Sequence, residues 1–158
     1  MAPKPALRSV HLQPMDPKPT LKGDDAPWPG SVYVINEGNT TNVITYDDET
    51  TILKEYEPGN PRQQWVCHAR DGWLGLTNDP GESTVFLGYG MQHQPAILCR
   101  ALHMQRNEML CVRKRPGEGF QILMRYDDGL RPMGVNYFMN GCIEMIRNSE
   151  TWWNFTKV

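Results

Sequence analysis

The chain has 158 residues, of which 39% are hydrophobic and 22% charged, and its formal net charge is −2. This length suits one globular domain and is short for two, and the composition excludes a chain that is disordered throughout. Basic residues are scattered and no apolar run approaches the roughly 20 residues of a membrane span, so neither nucleic acid nor membrane is expected as a partner. The first ten residues lack the unbroken apolar stretch of a signal peptide, so a cytoplasmic location is expected.

A proline-rich arm precedes the domain. Seven of the thirteen prolines fall between Pro3 and Pro29, and lysine and aspartate residues interrupt every apolar face that a helix could present. We predict that residues 1–30 form an extended arm that is flexible or lies across the domain, with Trp28 as its anchor. A plain disordered leader is the alternative.

From Ser31 onward, short β-rich runs alternate with turn residues, which is typical of an all-β barrel or sandwich. No window of a dozen residues shows a helical period. Twelve strands are predicted, at residues 31–36, 42–47, 51–56, 64–69, 73–77, 85–89, 96–102, 109–113, 119–126, 133–139, 142–147 and 152–157.

Two apolar positions recur at an offset of about 44 residues. The first is held by Trp65, Met109 and Trp153, and the second, two residues further on, by Cys67, Cys111 and Phe155. Residues two apart on a strand point to the same face, so each closing strand offers two apolar side chains to one side. The sequence therefore predicts three units of four strands, covering residues 31–69, 70–114 and 115–158.

The end of the first unit resembles a known family. Gln63-Gln64-Trp65 matches the Gln-x-Trp signature that ends each unit of ricin-B-like β-trefoils. Thr151-Trp152-Trp153 stands in the matching place of the third unit, whereas the second unit has Glu108-Met109-Leu110 there and lacks the signature. The resemblance, over residues 31–158, implies an all-β, β-trefoil fold with the signature tryptophan in the shared core. It also implies a shallow sugar pocket in each unit, supported by the signature glutamine.

The same resemblance directs attention to the first unit as a sugar site. In the family, an aspartate near the end of the second strand, an aromatic platform and an asparagine beside the glutamine bind the sugar. Only the first unit keeps a carboxylate nearby, displaced by two or three residues, and arginine takes the place of the asparagine. The expected ligand-binding residues are therefore Asp47, Asp48, Tyr56, Arg62 and Gln63. The alternative interpretation of the two aspartates is a polar hairpin turn.

A second polar set lies in the second unit and could line a differently built pocket. Its members are Tyr89, His93, His103, Gln105 and Asn107. Two hydrated loops are the alternative. The four cysteines form no Cys-x-x-Cys pair and do not cluster with the histidines, so neither a metal nor another cofactor is expected.

The function predicted from the sequence is that of a non-catalytic, lectin-like domain that binds a glycan or another polyhydroxylated ligand. Two alternatives stay open: a protease inhibitor or protein-interaction module, and a trefoil that has become an enzyme acting on a small molecule. No nucleophile pairs legibly with a base, which argues against the enzyme. An exposed aromatic in the arm, such as Trp28, could support a homodimer.

Overall fold

A computed structural model describes residues 21, 23, 25–81, 83–91, 94–127 and 129–158. In this part of the chain, every predicted strand is present. The strands are β1 (Val32–Glu37), β2 (Asn42–Asp47), β3 (Thr50–Glu55), β4 (Trp65–Arg70), β5 (Trp73–Asn78), β6 (Val85–Tyr89), β7 (Ile97–Ala101), β8 (Leu110–Lys114), β9 (Phe120–Tyr126), β10 (Gly129–Asn136), β11 (Cys142–Met145) and β12 (Trp153–Lys157). Short 3-10 helices cover Pro61–Gln63, Arg106–Glu108 and Tyr137–Met139.

Six strands close into a barrel. The antiparallel pairs run from β1 to β12, β9, β8, β5 and β4, and β4 pairs again with β1. Closure leaves no free edge in this ring, so short strands that would be marginal as an open sheet are all paired. The other six strands form three hairpins, β2–β3, β6–β7 and β10–β11, which cover one end of the barrel.

The three hairpins meet with threefold symmetry. Each third strand pairs with the next one in the same way: Thr50 faces Leu98, Ala96 faces Glu144, and Cys142 faces Ile52. Residues that make the same pairing occupy equivalent places in the three units. This arrangement of a barrel and three equivalent hairpins is a β-trefoil.

The signature tryptophans lie in the core, as the resemblance implied. Trp65 and Trp153 are fully buried. The indole Nε1–H of Trp65 donates to the carbonyl oxygen of Ile44 (2.9 Å), and that of Trp153 donates to the carbonyl oxygen of Met133 (3.3 Å). Each indole therefore joins the barrel to the hairpin of its own unit, and its polar atom is satisfied.

In the second unit, the structure corrects the predicted equivalent of the signature tryptophans. Leu110, not Met109, holds the place of the tryptophans, because Leu110 faces Leu74 of β5 as Trp65 faces Tyr33 of β1. Leu110 is also in the core cluster, while Cys111 is only half-buried. The equivalent core positions are thus one residue later in this unit than a fixed spacing predicts.

The described end of the arm lies along β12, and the backbone N–H of Trp28 contacts the core by donating to the Tyr33 hydroxyl (2.8 Å). The backbone N–H of Asp25 donates to the carbonyl oxygen of Phe155 (3.1 Å), and the Asp25 carboxylate accepts from the backbone N–H of Lys157 (2.8 Å). The side chain of Trp28 is 73% exposed. The described end of the arm is therefore held by Asp25 and by the backbone of Trp28; residues 1–20, 22 and 24 lie outside the described part.

Candidate functional site

Three equivalent positions lie on the second strands of the units, β2, β6 and β10. Thr45, Gly88 and Gly134 face Ile52, Leu98 and Glu144, which are themselves equivalent in the threefold pairing. Each position meets a side chain from the segment before the closing strand. That side chain is Gln63 in the first unit, Glu108 in the second and Ser149 in the third. An amide, a carboxylate and a hydroxyl thus occupy related places.

In the first unit, Gln63 is a structural residue. It is buried, and its amide nitrogen donates to Thr45 Oγ1 (3.2 Å) and to the carbonyl oxygen of Glu55 (3.0 Å). Its Oε1 accepts from the backbone N–H of Glu57 (2.8 Å). These three bonds fasten the 3-10 helix to the β2–β3 hairpin, and both N–H donors of the amide are used within the fold.

The other predicted residues of the first unit are spread along the hairpin. Asp48 is exposed at the β2–β3 turn, and Asp47 lies 3.9 Å from Lys54. Tyr56 follows the opposite end, where its backbone N–H donates to Thr41 (2.9 Å). The intervening strand spans roughly 17 Å. The structure therefore does not gather the five residues into one pocket. The remaining member, Arg62, lies with its guanidinium carbon 5.9 Å from the ring centre of Tyr46.

The second unit has a cleft of about 340 Å³ between β6, β7 and the 3-10 helix Arg106–Glu108. Three residues of the second predicted set, Tyr89, Gln105 and Asn107, line it together. His103 is exposed and lies outside this lining, and His93 lies outside the described residues. Hereafter this site is called the Glu108 cleft.

Glu108 gives the cleft a buried carboxylate. Glu108 is 7% exposed, and its Oε1 accepts from the backbone N–H of Gln105 (3.1 Å). Oε2 lies 2.9 Å from the point where a Cβ on Gly88 would stand, so the carboxylate fills space that a side chain on β6 would take. Burial raises the pKa of Glu108 above its usual value, and the Gln105 hydrogen bond partly opposes this. A carboxyl group perturbed by burial at the wall of a cleft is a functional-site candidate.

Three further polar side chains belong to the cleft. The amide nitrogen of Asn107 donates to the carbonyl oxygen of Gly90 (3.0 Å), which fixes the orientation of the side chain. Arg100 lies over the same glycine, with Nη2 3.2 Å from the position of a Cβ there. The Tyr89 hydroxyl donates to the carbonyl oxygen of Arg125 (2.7 Å), so its ring is held in the wall. The cleft therefore offers a carboxylate acceptor, a guanidinium donor and an amide.

Sequence reasoning missed Glu108, Gly88 and Arg100. The available signal was Glu108 itself, which stands where the family signature has glutamine. That replacement was interpreted as a loss of the signature, whereas it substitutes a carboxylate for an amide. The glycine opposite gave no signal, because its role depends on a register that only the folded sheet defines.

Cys67 and His68 are neighbouring titratable residues on β4. The Cys67 thiol is fully buried, and burial raises its pKa to about 11, so it is protonated near neutral pH. His68 Nε2 lies 2.7 Å from Thr77 Oγ1, and partial burial lowers the pKa of the imidazole.

Within the described ranges, no group of three or more His, Cys, Asp or Glu residues could hold a metal ion. No helix in that part of the chain is long and apolar enough to cross a bilayer.

No protein-family model and no curated protein sequence matches the chain. Several solved structures are similar to it. A ricin B-like lectin from Macrolepiota procera, solved in complex with lactose, gives a TM-score of 0.66 at 12% identity, covering 85% of this chain and 100% of the lectin. The designed threefold-symmetric protein ThreeFoil gives 0.66 at 12% identity, covering 80% of this chain and 99% of the design.

An enzyme is among the similar structures as well. The GlcNAcα1-4Gal-releasing endo-β-galactosidase from Clostridium perfringens gives a TM-score of 0.65 at 13% identity, covering 81% of this chain. The present chain spans only 32% of that enzyme's length. Together, these likenesses confirm the predicted resemblance at the level of the fold: the chain has the β-trefoil fold of ricin B-like lectins.

Proposed function

We propose that this protein binds a polyhydroxylated ligand of the carbohydrate class in the Glu108 cleft, without chemically changing it. The observation that carries the proposal is the Glu108 carboxylate, held on one oxygen by Gln105 while the other faces Gly88 in the cleft wall. An ionised carboxylate accepts strong, charge-assisted hydrogen bonds from sugar hydroxyls. The likeness in fold to a lectin solved with lactose supports the same conclusion.

Because it is buried, the Glu108 carboxylate gains from hydrogen bonds that a ligand donates. A charged group taken out of water is costly unless hydrogen bonds replace its hydration. Two neighbouring hydroxyls of a sugar would supply such bonds, and Arg100 and Asn107 lie close enough to the cleft to bind further oxygens. Recognition by a few fixed polar groups in a small, partly apolar cleft is the usual mode of ligand binding.

The test is binding of the full-length protein to a broad glycan array. Glu108→Gln keeps the shape of the side chain and removes its charge. Because a hydrogen bond to a charged group is worth about 1.5–3 kcal/mol, we expect this variant to bind roughly 10- to 100-fold more weakly. The matched comparison is Asp47→Ala/Asp48→Ala, which we expect to bind as the unaltered protein does.

Each outcome of the array decides between sites. Loss of binding in the Asp47/Asp48 variant, with binding retained by Glu108→Gln, would move the site to the first unit, where the sequence placed it. An array without any specific binding would contradict the carbohydrate proposal for both units.

Ligand binding is expected to weaken on acidification. The raised pKa means that Glu108 takes up its proton at a higher pH than an ordinary glutamate does. Hydroxyl donors favour the ionised form, so affinity is full above this raised pKa and falls as the pH drops through it. Isothermal titration across acidic and neutral pH measures the change. Glu108→Gln should show no such dependence, and an unchanged pH profile in that variant would assign the titration to another group.

One loop favours the alternative function of protein binding. The 3-10 helix Tyr137–Met139 joins β10 to β11 and exposes three apolar side chains, with Phe138 100% exposed. Two hydrogen bonds fix the loop. Asn136 Oδ1 accepts from the backbone N–H of Phe138 (3.1 Å), and the Tyr137 hydroxyl donates to the Glu37 carboxylate. An ordered, exposed apolar loop is typical of a protein-interaction site.

A protease panel tests this alternative. If the loop is the binding element, the protein blocks one of the proteases at a stoichiometric dose, and Phe138→Asp abolishes the inhibition. Because Phe138 packs on nothing in the fold, its replacement should leave the free energy of unfolding within about 0.5 kcal/mol. Inhibition that survives Phe138→Asp, or no inhibition of any protease, would contradict a role for this loop as inhibitor.

A further inference from the structure

A second region of the structure, lined by other residues than the Glu108 cleft, is rich in arginine. Two open clefts of about 550 Å³ and 620 Å³ adjoin each other and share Asp127, Gly129 and Leu130 in their walls. The arginines that line them are Arg113, Arg131 and Arg147 in the first and Arg106 and Arg125 in the second. We call both together the arginine cleft. It gathers five of the sixteen basic residues of a chain whose net charge is −2.

Neutral groups contact three of these side chains. The guanidinium carbon of Arg131 lies 4.1 Å from the ring centre of Tyr126, and that of Arg125 lies 5.1 Å from the ring centre of Trp73. Arg106 donates to the backbone carbonyl oxygen of Asp127. Contacts with rings and carbonyl oxygens orient a guanidinium without cancelling its charge.

The charge balance of the lining residues is strongly positive. Among the described residues that line the arginine cleft, five are arginines and one, Asp127, is acidic. Like charges that line a cleft focus the field into it and raise the local concentration of counter-ions. The arrangement costs electrostatic repulsion in the free protein, and an anion in the cleft would relieve that repulsion.

We propose that the arginine cleft binds a ligand that carries two or more sulfate or phosphate groups. The planar guanidinium donates in pairs to the oxygens of such groups, which a lysine ammonium does not do. The two adjoining clefts, each lined by its own arginines, could each bind one oxyanion. The described residues that line this site differ from those of the Glu108 cleft, and so does the charge of the proposed ligand.

The experiment compares two variants that lose the same charge. Arg113→Gln/Arg147→Gln removes two exposed arginines of the cleft, and Lys54→Gln/Lys157→Gln removes two exposed lysines elsewhere. The probes, titrated into the full chain at low salt, are a heparin-derived hexasaccharide for sulfate and inositol hexakisphosphate for phosphate. We expect saturable binding of at least one probe, weakened about tenfold or more in the arginine variant and little changed in the lysine variant. Unfolding curves of both variants verify that each is folded.

The two probes separate the possible sources of the oxyanion. Binding of the sulfated sugar alone identifies a sulfated glycan, binding of the inositol phosphate alone identifies a phosphorylated ligand, and either supports the site. Equal weakening by the two variants would show attraction to overall charge and would overturn the proposal. Failure of both probes to saturate would overturn it too.

Discussion

Replacing Trp65 or Trp153 with alanine is expected to lower the free energy of unfolding by about 3 to 5 kcal/mol, the loss that removal of a large buried aromatic side chain causes. Both side chains are fully buried, and each fills the space between the barrel and its own hairpin. The surrounding strands are paired on both sides, so they cannot close over the cavity. Urea unfolding followed by tryptophan fluorescence and circular dichroism measures the loss.

The matched control is Trp65→Phe, which keeps an aromatic ring and removes the Nε1–H donor. It leaves the carbonyl oxygen of Ile44 without that hydrogen bond, which costs about 1–3 kcal/mol. The alanine variants should therefore lose clearly more stability than the phenylalanine variant. A loss under about 1 kcal/mol in either alanine variant would contradict the placement of these tryptophans in a shared core.

The strands could be predicted from the sequence because they depend on local chemistry. Turn residues such as Gly38 and Gly59 adopt positive φ between neighbouring strands, and glycine permits this without strain. The equivalent core positions of the three units were harder to predict. Loops of different length shift the second unit, so Leu110 rather than Met109 takes the place of the tryptophans. A constant spacing cannot reveal such a shift, whereas the register of the paired strands does.

The candidate site could be predicted only in part. Tyr89, Gln105 and Asn107 were found because polar residues cluster near the end of β6 and before β8. Gly88 and Glu108 meet only through the register of the hairpin and the closing strand, which no local pattern encodes. Asp47 and Tyr56 show the converse, because residues that looked like one site lie at opposite ends of a hairpin.

Gly88→Ala is expected to disrupt the Glu108 cleft and to lower stability. A Cβ on residue 88 would stand 2.6 Å from the carbonyl oxygen of Asn107 and 2.9 Å from Glu108 Oε2. The first of these atoms belongs to the backbone and cannot rotate away, so the 3-10 helix before β8 must move. Overpacking of this kind costs about 1–3 kcal/mol. The shift displaces the carboxylate, so binding of the array-identified glycan should be lost along with the stability.

Gly81→Ala is the control, because a Cβ there meets nothing within 4 Å. We expect this variant to keep its stability within about 0.5 kcal/mol and its ligand affinity unchanged. Comparison with Glu108→Gln, which removes the carboxylate charge without altering the shape of the side chain, separates the effect of cleft shape from that of the carboxylate. If Gly88→Ala binds as tightly as the unaltered protein, Glu108 does not contact the ligand from this position. If it loses binding while Glu108→Gln retains it, the cleft binds its ligand through its shape and its other polar groups, and the carboxylate is not the recognising group.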